Sequence, residues 1–163
     1  MPWFRRLLWI GTFILMIVLT IKSFHLRSAN VPTIEAFELA DRANAISIVQ
    51  SWDDPVVKHI AVSSIKLDFL FIAFYVLLMI NCSNHQMNKE RNLVLNNLLR
   101  FNIALAFVTC VLDVSENLIM LNNIESINDF FPTRLIALLK FLFAGWIVVV
   151  WAVSVFKPSP KST

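Results

Sequence analysis

The chain has 163 residues, of which 58% are hydrophobic and only 15% are charged, with a formal net charge of +3. A typical soluble domain is about 45–50% apolar and about 25% charged, and one of this length could not bury so much apolar surface. The basic residues are dispersed along the chain, which excludes a compact nucleic-acid-binding patch. The scarcity of glycine, with two residues, favours helices over turn-rich β structure. We therefore expect an all-α integral membrane protein.

Four apolar segments are long enough to cross a membrane, since the hydrocarbon core takes roughly 20 residues of helix. We predict a single membrane domain over residues 1–163, folded as a four-helix bundle. Its predicted spans are residues 7–24, 58–80, 98–121 and 134–156.

The segment between the first two spans is too long for a plain connection. Pro32 followed by an acid at Glu35 is typical of a helix start. Apolar residues then recur with a roughly helical period from Phe37 to Trp52. We predict an additional external amphipathic helix over residues 33–52, which lies on the membrane interface or caps the bundle.

The distribution of basic residues predicts the orientation in the membrane. With four spans, both termini share a side, and that side carries seven Lys and Arg residues with a single acid. The opposite side carries five basic residues and seven acids. By the positive-inside rule, both termini and the 81–97 loop are cytoplasmic, and segments 25–59 and 122–133 lie outside. We expect a plasma membrane location, specifically a bacterial inner membrane.

Five charged residues fall within the predicted spans, where each costs about 2.5–3.5 kcal/mol at the membrane centre. At 1.5 Å per helical residue, all five lie about 8–12 Å from the outer ends of their spans. We therefore predict one charged layer, built from three helices. Its members are Lys66 and Asp68 in the second span, Asp113 and Glu116 in the third, and Lys140 in the fourth.

The helical period also predicts which of these side chains share a face. Asp113, Glu116 and Asn117 lie at positions i, i+3 and i+4, which are neighbours on one helix surface. Lys66 is two positions from Asp68, so the two side chains point roughly 200° apart. We expect Lys66 to pair with a carboxylate on another helix, such as Glu116, or to extend to the outer interface.

Two interpretations of the charged layer remain open. In the first, lysines and carboxylates form a closed ion-pair network that fixes the register of the helices. In the second, Asp68, Asp113 and Glu116 line a polar cavity that opens to the outside, with Asn117 as an orienting group. No metal-ligand spacing of Cys or His and no cofactor motif occurs in the sequence, so we expect neither a metal nor a cofactor.

Three functional hypotheses follow from the charged layer. The first is a binding protein whose acidic site takes an ion, an amine or a lipid headgroup. The second is an intramembrane lipid-modifying enzyme with carboxylates as acid and base, whose catalytic residues are unknown. The third is a structural or accessory subunit that pairs with a membrane-protein partner or forms a homo-oligomer. Membrane lipids are expected partners in each case, and nucleic acid is not.

The sequence also shows one resemblance. "KLDFLFIAFY" (66–75) together with "LDVSEN" (112–117) resembles a loose group of small bacterial four-helix membrane proteins. These have an LDF second helix and a D-x-x-E-N third helix, so the resemblance implies topology and carries no known activity. It covers Asp68, Phe69, Asp113, Glu116 and Asn117.

Overall fold

A computed structural model of the chain is all-α, and it describes residues 2–126 and 131–156. The described part contains six helices and no strand. This confirms the predicted all-α four-helix fold. The helices are α1 (Pro2–Ser28), α2 (Ile34–Glu38), α3 (Arg42–Ser51), α4 (Pro55–Met87), α5 (Leu93–Glu125) and α6 (Arg134–Phe156).

Four of these helices, α1, α4, α5 and α6, are long and apolar enough to cross a membrane. α4 and α5 have 33 residues each, which corresponds to about 50 Å and exceeds the roughly 30 Å hydrocarbon core. Large apolar side chains such as Phe13, Val111 and Leu142 are exposed on the outer surface of the bundle. Because lipid is the only solvent that suits such a surface, the chain is a small integral membrane protein.

Local capping residues explain where the two longest helices begin. The carboxylate of Asp54 accepts hydrogen bonds from the amides two and three residues further on, and Pro55 follows at the first helical position. The side chain of Asn92 makes the same pair of bonds at the start of α5. Each cap satisfies amides that have no partner inside the helix.

The predicted continuous helix over residues 33–52 is wrong, because the structure has two short helices, α2 and α3, separated at residues 39–41. The carboxylate of Asp41 accepts a hydrogen bond of 2.9 Å from the amide of Asn44 and so caps α3. Asp competes in this way with a continuous helix, since its side chain offers the backbone an alternative partner. After the break, α2 is a separate short helix whose last residues, Phe37 and Glu38, are buried.

An aromatic core holds α2 and α3 against the end of the bundle. The rings of Phe37 and Trp52 pack edge to face with centroids 5.2 Å apart, and each residue is 1% exposed. The indole nitrogen of Trp52 donates to the carbonyl of Pro32 at 2.9 Å. Ile65 of α4 and Met120 of α5 belong to the same buried cluster. This packing fixes the position of α2, and therefore of Glu38 at its last turn.

The long helices pack in the order α1, α4, α5, α6, with a smaller contact between α4 and α6. α1 therefore packs on α4, and α6 packs mainly on α5. α1 and α6 approach each other at Trp9 and Trp151, whose ring centroids are 6.5 Å apart. Between these two helices and over α4 lies a cleft, and α2 crosses one end of it.

The packing of α1 on α4 depends on Gly11. A Cβ at this position would overlap the ring of Phe74, whereas a Cβ at Gly145 would meet nothing within 4 Å. We expect Gly11→Ala to lower the free energy of unfolding by about 1–3 kcal/mol, because the ring must move. Gly145→Ala should be neutral or stabilise by up to about 1 kcal/mol. Thermal unfolding of both variants in one detergent checks this, and equal melting temperatures would contradict the close packing.

Candidate functional site

The ammonium of Lys140 is the centre of the charged cluster. Its Nζ lies 2.8 Å from Asp113 Oδ1, 2.6 Å from Glu116 Oε2 and 3.7 Å from Glu38 Oε1. Lys140 is only 6% exposed. One lysine of α6 therefore joins α5 and α2 through ion pairs that are largely shielded from solvent.

A fourth carboxylate, Asp68 of α4, lies beside this group without an ion pair among the residues that the structure describes. Its Oδ2 accepts a hydrogen bond of 2.8 Å from Asn117 Nδ2. Four carboxylates thus face one ammonium, which leaves three negative charges unbalanced when all are ionised. Like charges at this density raise the free energy of the ionised site, so protons or a cation are needed to offset them.

Asp113 and Glu116 occupy different environments within the cluster. Asp113 is held at both oxygens, because Lys140 binds Oδ1 and the hydroxyl of Tyr75 donates to Oδ2. Glu116 is fully buried, and its Oε1 has no hydrogen-bond partner in the described part of the chain. Asp113 is therefore a fixed anchor of the network, whereas Glu116 keeps an unused acceptor.

The structure brings together five of the six residues that the sequence predicted for the site. Lys66 is the exception, because it is exposed and makes no ion pair among residues 2–126 and 131–156. Its suggested pairing with Glu116 is wrong, since Lys140 occupies that position. The physical reason is the opposed direction of Lys66 and Asp68 on α4. The five residues that converge are Asp68, Asp113, Glu116, Asn117 and Lys140.

Sequence reasoning missed Glu38 and Tyr75. Glu38 belongs to a segment that was predicted to lie outside the membrane, and only the inward turn of α2 brings it to Lys140. Tyr75 lies seven residues after Asp68 on the same face of α4, and it is the only tyrosine of the chain. That spacing is the signal that could have identified Tyr75 as a partner.

Burial raises the pKa of Glu38 to about 8, although the nearby ammonium of Lys140 acts in the opposite direction. The carboxylates of Glu116, Asp68 and Asp113 raise this pKa further. The raised pKa favours protonation of Glu38 near neutral pH, and such protonation removes one of the unbalanced charges. Burial also acts to raise the pKa of Glu35, but hydrogen bonds, including one from Ser23, outweigh it and hold the pKa below its usual value.

The charged cluster forms the wall of an open cavity of about 340 Å³, which we call the acidic cavity. α2, α4, α5 and α6 all contribute to its lining, and the half-exposed ring of Phe141 stands at its rim. A smaller cavity of about 80 Å³ lies between α1 and α2 and shares three acids with it. The polar lining of the acidic cavity consists of Glu35, Glu38, Asp68, Tyr75, Thr109, Asp113 and Lys140.

The side chains that line the acidic cavity indicate which kind of cation it could hold. Within the described ranges, no group of three or more His, Cys, Asp or Glu side chains is placed to hold a metal ion. The rings of Phe71 and Tyr75 line the same space, with centroids 5.3 Å apart. Carboxylates combined with aromatic faces are suited to an organic ammonium group.

Comparison of the chain with protein-family models, with curated proteins and with solved structures gave no match. The resemblance to small bacterial four-helix membrane proteins therefore stays a prediction. The function of the site must be inferred from its own geometry and charge.

Proposed function

We propose that this integral membrane protein binds a small cationic group in the acidic cavity: an inorganic ion, an amine or the amine of a lipid headgroup. The observation that supports the proposal is the excess of carboxylates on the wall of an open cavity, where four acids line the same space as a single lysine: Glu35, Glu38, Asp68 and Asp113 with Lys140. A cavity with an excess of one sign of charge and low-dielectric walls concentrates ligands of the opposite sign.

Asp68 is the carboxylate that we assign to the ligand. Lys140 is already engaged by Asp113, Glu116 and Glu38, so it has little remaining capacity for another anion. Asp68 is partly exposed and is oriented by Asn117 at 2.8 Å. Asp68 is hydrogen-bonded to a neutral amide and makes no ion pair among the described residues, so an entering cation can pair with it.

We further propose that the site opens on the non-cytoplasmic side of a bacterial inner membrane. The positive-inside rule supports this orientation, because it assigns the basic loop and the termini to the cytoplasm. α2, which lines the acidic cavity, then lies outside together with α3. The ligand would reach the site from the external leaflet or the external medium.

A small ammonium ion tests the proposal directly. We expect ethylammonium to raise the melting temperature of the protein in lipid nanodiscs, since a ligand that binds only the folded state stabilises it. Asp68→Asn should weaken the apparent affinity by about tenfold or more, because a hydrogen bond to a charged group contributes about 1.5–3 kcal/mol. Asp53→Asn is the matched control, since Asp53 is an exposed carboxylate just before the start of α4.

Two comparisons decide the result. Ethanol has the same carbon chain without the charge, and at equal concentration it should not raise the melting temperature. Sodium chloride controls for ionic strength, and a matching Asp68-dependent shift with sodium would identify an inorganic cation as the ligand. An equal response of the wild type and Asp68→Asn to ethylammonium would overturn the proposal.

The closed ion-pair interpretation also retains support from one observation. The 2.6 Å contact between Lys140 and the fully buried Glu116 ties α6 to α5, and Glu116 does not line the cavity. This pair serves helix packing, while Asp68 and Glu38 face the cavity. The enzyme and accessory-subunit hypotheses stay predictions.

A further inference from the structure

A second pocket continues the acidic cavity along α4 toward the other end of the bundle. It has a volume of about 220 Å³, lies between α1, α4 and α6, and has an almost wholly apolar surface, so we call it the apolar pocket. Tyr75 and Met79 line both spaces. Its other lining residues include Trp9, Leu78, Cys82, Ile147 and Trp151.

Together, the acidic cavity and the apolar pocket form one groove with a charged end and an apolar end. From Asp68 to Ser83 the groove follows fifteen residues of α4, which corresponds to about 22 Å. The two volumes, 340 and 220 Å³, lie together within the roughly 300–1,000 Å³ typical of small-molecule sites. A simple ion or a short amine would fill only the charged end.

The groove opens sideways, toward the surface that the membrane covers. Val148 is 51% exposed on the rim of the apolar pocket, and Trp9 is also half-exposed there. Both residues belong to helices that are long and apolar enough to span a membrane. A ligand with an apolar chain could therefore pass into the groove from the bilayer without crossing water.

We propose that the groove holds a single-chain cationic amphiphile, a long-chain primary amine, with its ammonium beside Asp68 and Glu38 and its chain in the apolar pocket. This inference rests on the proposed cation binding and names the ligand class. A phosphate-bearing headgroup does not fit, because carboxylates surround the charged end and Lys140 is engaged by three of them. The modest volume of the apolar pocket suits one chain rather than two.

The headgroup must supply the selectivity of such a site. In a bilayer the chain leaves one apolar environment for another, so its transfer contributes little to affinity. The ammonium, in contrast, gains charged acceptors that the lipid interior lacks. We therefore expect occupancy of the groove to depend on the amine, while the chain determines where the far end of the ligand lies.

Photo-crosslinking in lipid nanodiscs tests this assignment. The probe is a dodecylamine with a diazirine at the end of its chain, compared with the matching dodecanol and dodecyl phosphate. After irradiation, peptide mass spectrometry should locate the amine probe on the lining residues of the apolar pocket, at a yield about tenfold above that of the alcohol. Asp68→Asn should reduce the yield to that of the alcohol, and Asp53→Asn should not.

A variant at the rim separates groove binding from general contact with lipid. Val148→Trp should fill the apolar pocket from its exposed edge and block labelling. Val149→Trp is the matched control, because Val149 is 59% exposed and does not line the pocket. Both changes lie on the surface of α6, so the fold should tolerate them, and neither should alter the response to ethylammonium.

The outcomes distinguish this inference from the proposed function. Equal labelling by the amine and alcohol probes, or labelling confined to outward residues such as Val111 and Leu142, would overturn the amphiphile assignment. If ethylammonium still stabilises the protein through Asp68, cation binding stands without the amphiphile. If neither the stabilisation by ethylammonium nor the selective labelling by the amine probe is observed, both the cation-binding proposal and the amphiphile assignment are overturned.

Discussion

Replacing Lys140 with methionine is expected to lower the free energy of unfolding by about 3–5 kcal/mol, the typical cost of removing one partner of a buried ion pair. Methionine keeps much of the length and apolar stem of lysine but leaves Asp113 and Glu116 without their cation. The ammonium lies within 2.8 Å of both carboxylates, so no other described cation can replace it without rearrangement. For a chain of this length, the melting temperature should fall by roughly 10 °C.

Lys66→Met is the matched control, because Lys66 carries the same charge at a similar predicted depth but is exposed. Its replacement should change the free energy of unfolding by no more than about 0.5 kcal/mol. Adding Asp113→Asn to Lys140→Met should restore part of the lost stability, since it removes one unpaired charge. Both effects can be measured by thermal unfolding in one detergent at neutral pH. If Lys140→Met and Lys66→Met lowered the free energy of unfolding equally, the ion pairs of Lys140 would not stabilise the fold.

The stability of the protein is expected to fall as the pH rises from 6 to 9, and Glu38 is the expected cause. The pKa of Glu38 is about 8 in the folded protein, compared with an ordinary value of 4.5, so the folded state retains a proton that the unfolded state releases. This contribution to stability is complete below pH 4.5 and is lost as the pH passes 8. Between pH 6 and 9 the loss should amount to about 2–3 kcal/mol.

Glu38→Gln tests that assignment, because glutamine stays neutral throughout this range and should flatten the pH profile of the melting temperature. The groups that face Glu38 are Lys140, Asp68, Asp113 and Glu116, so the other site residues must remain unchanged in the comparison. Glu35→Gln is the control, since the pKa of Glu35 lies below its usual value and this acid is ionised across the range. An unchanged pH profile in Glu38→Gln would assign the dependence to another group of the cluster.

The sequence by itself determined the four membrane-spanning helices and the surface of α5 that carries three of the site residues. A bilayer tolerates only long apolar helices, so composition and length alone predict α1, α4, α5 and α6. Helical geometry alone places Asp113, Glu116 and Asn117 on one surface, because residues three and four apart are neighbours. These conclusions depend on local rules, and the structure agrees with both.

Only the tertiary structure decided which lysine and which additional acid complete the site. Lys66 and Lys140 were predicted at the same depth, and the rotation of α4 and α6 in the bundle selects Lys140. Glu38 joins the cluster because Asp41 starts a new helix and aromatic packing turns α2 inward. The depth of a residue in the membrane and the helix face on which it lies can be calculated from one helix. The rotation of a helix in the bundle and the path of a connecting segment depend instead on contacts between residues far apart in the chain.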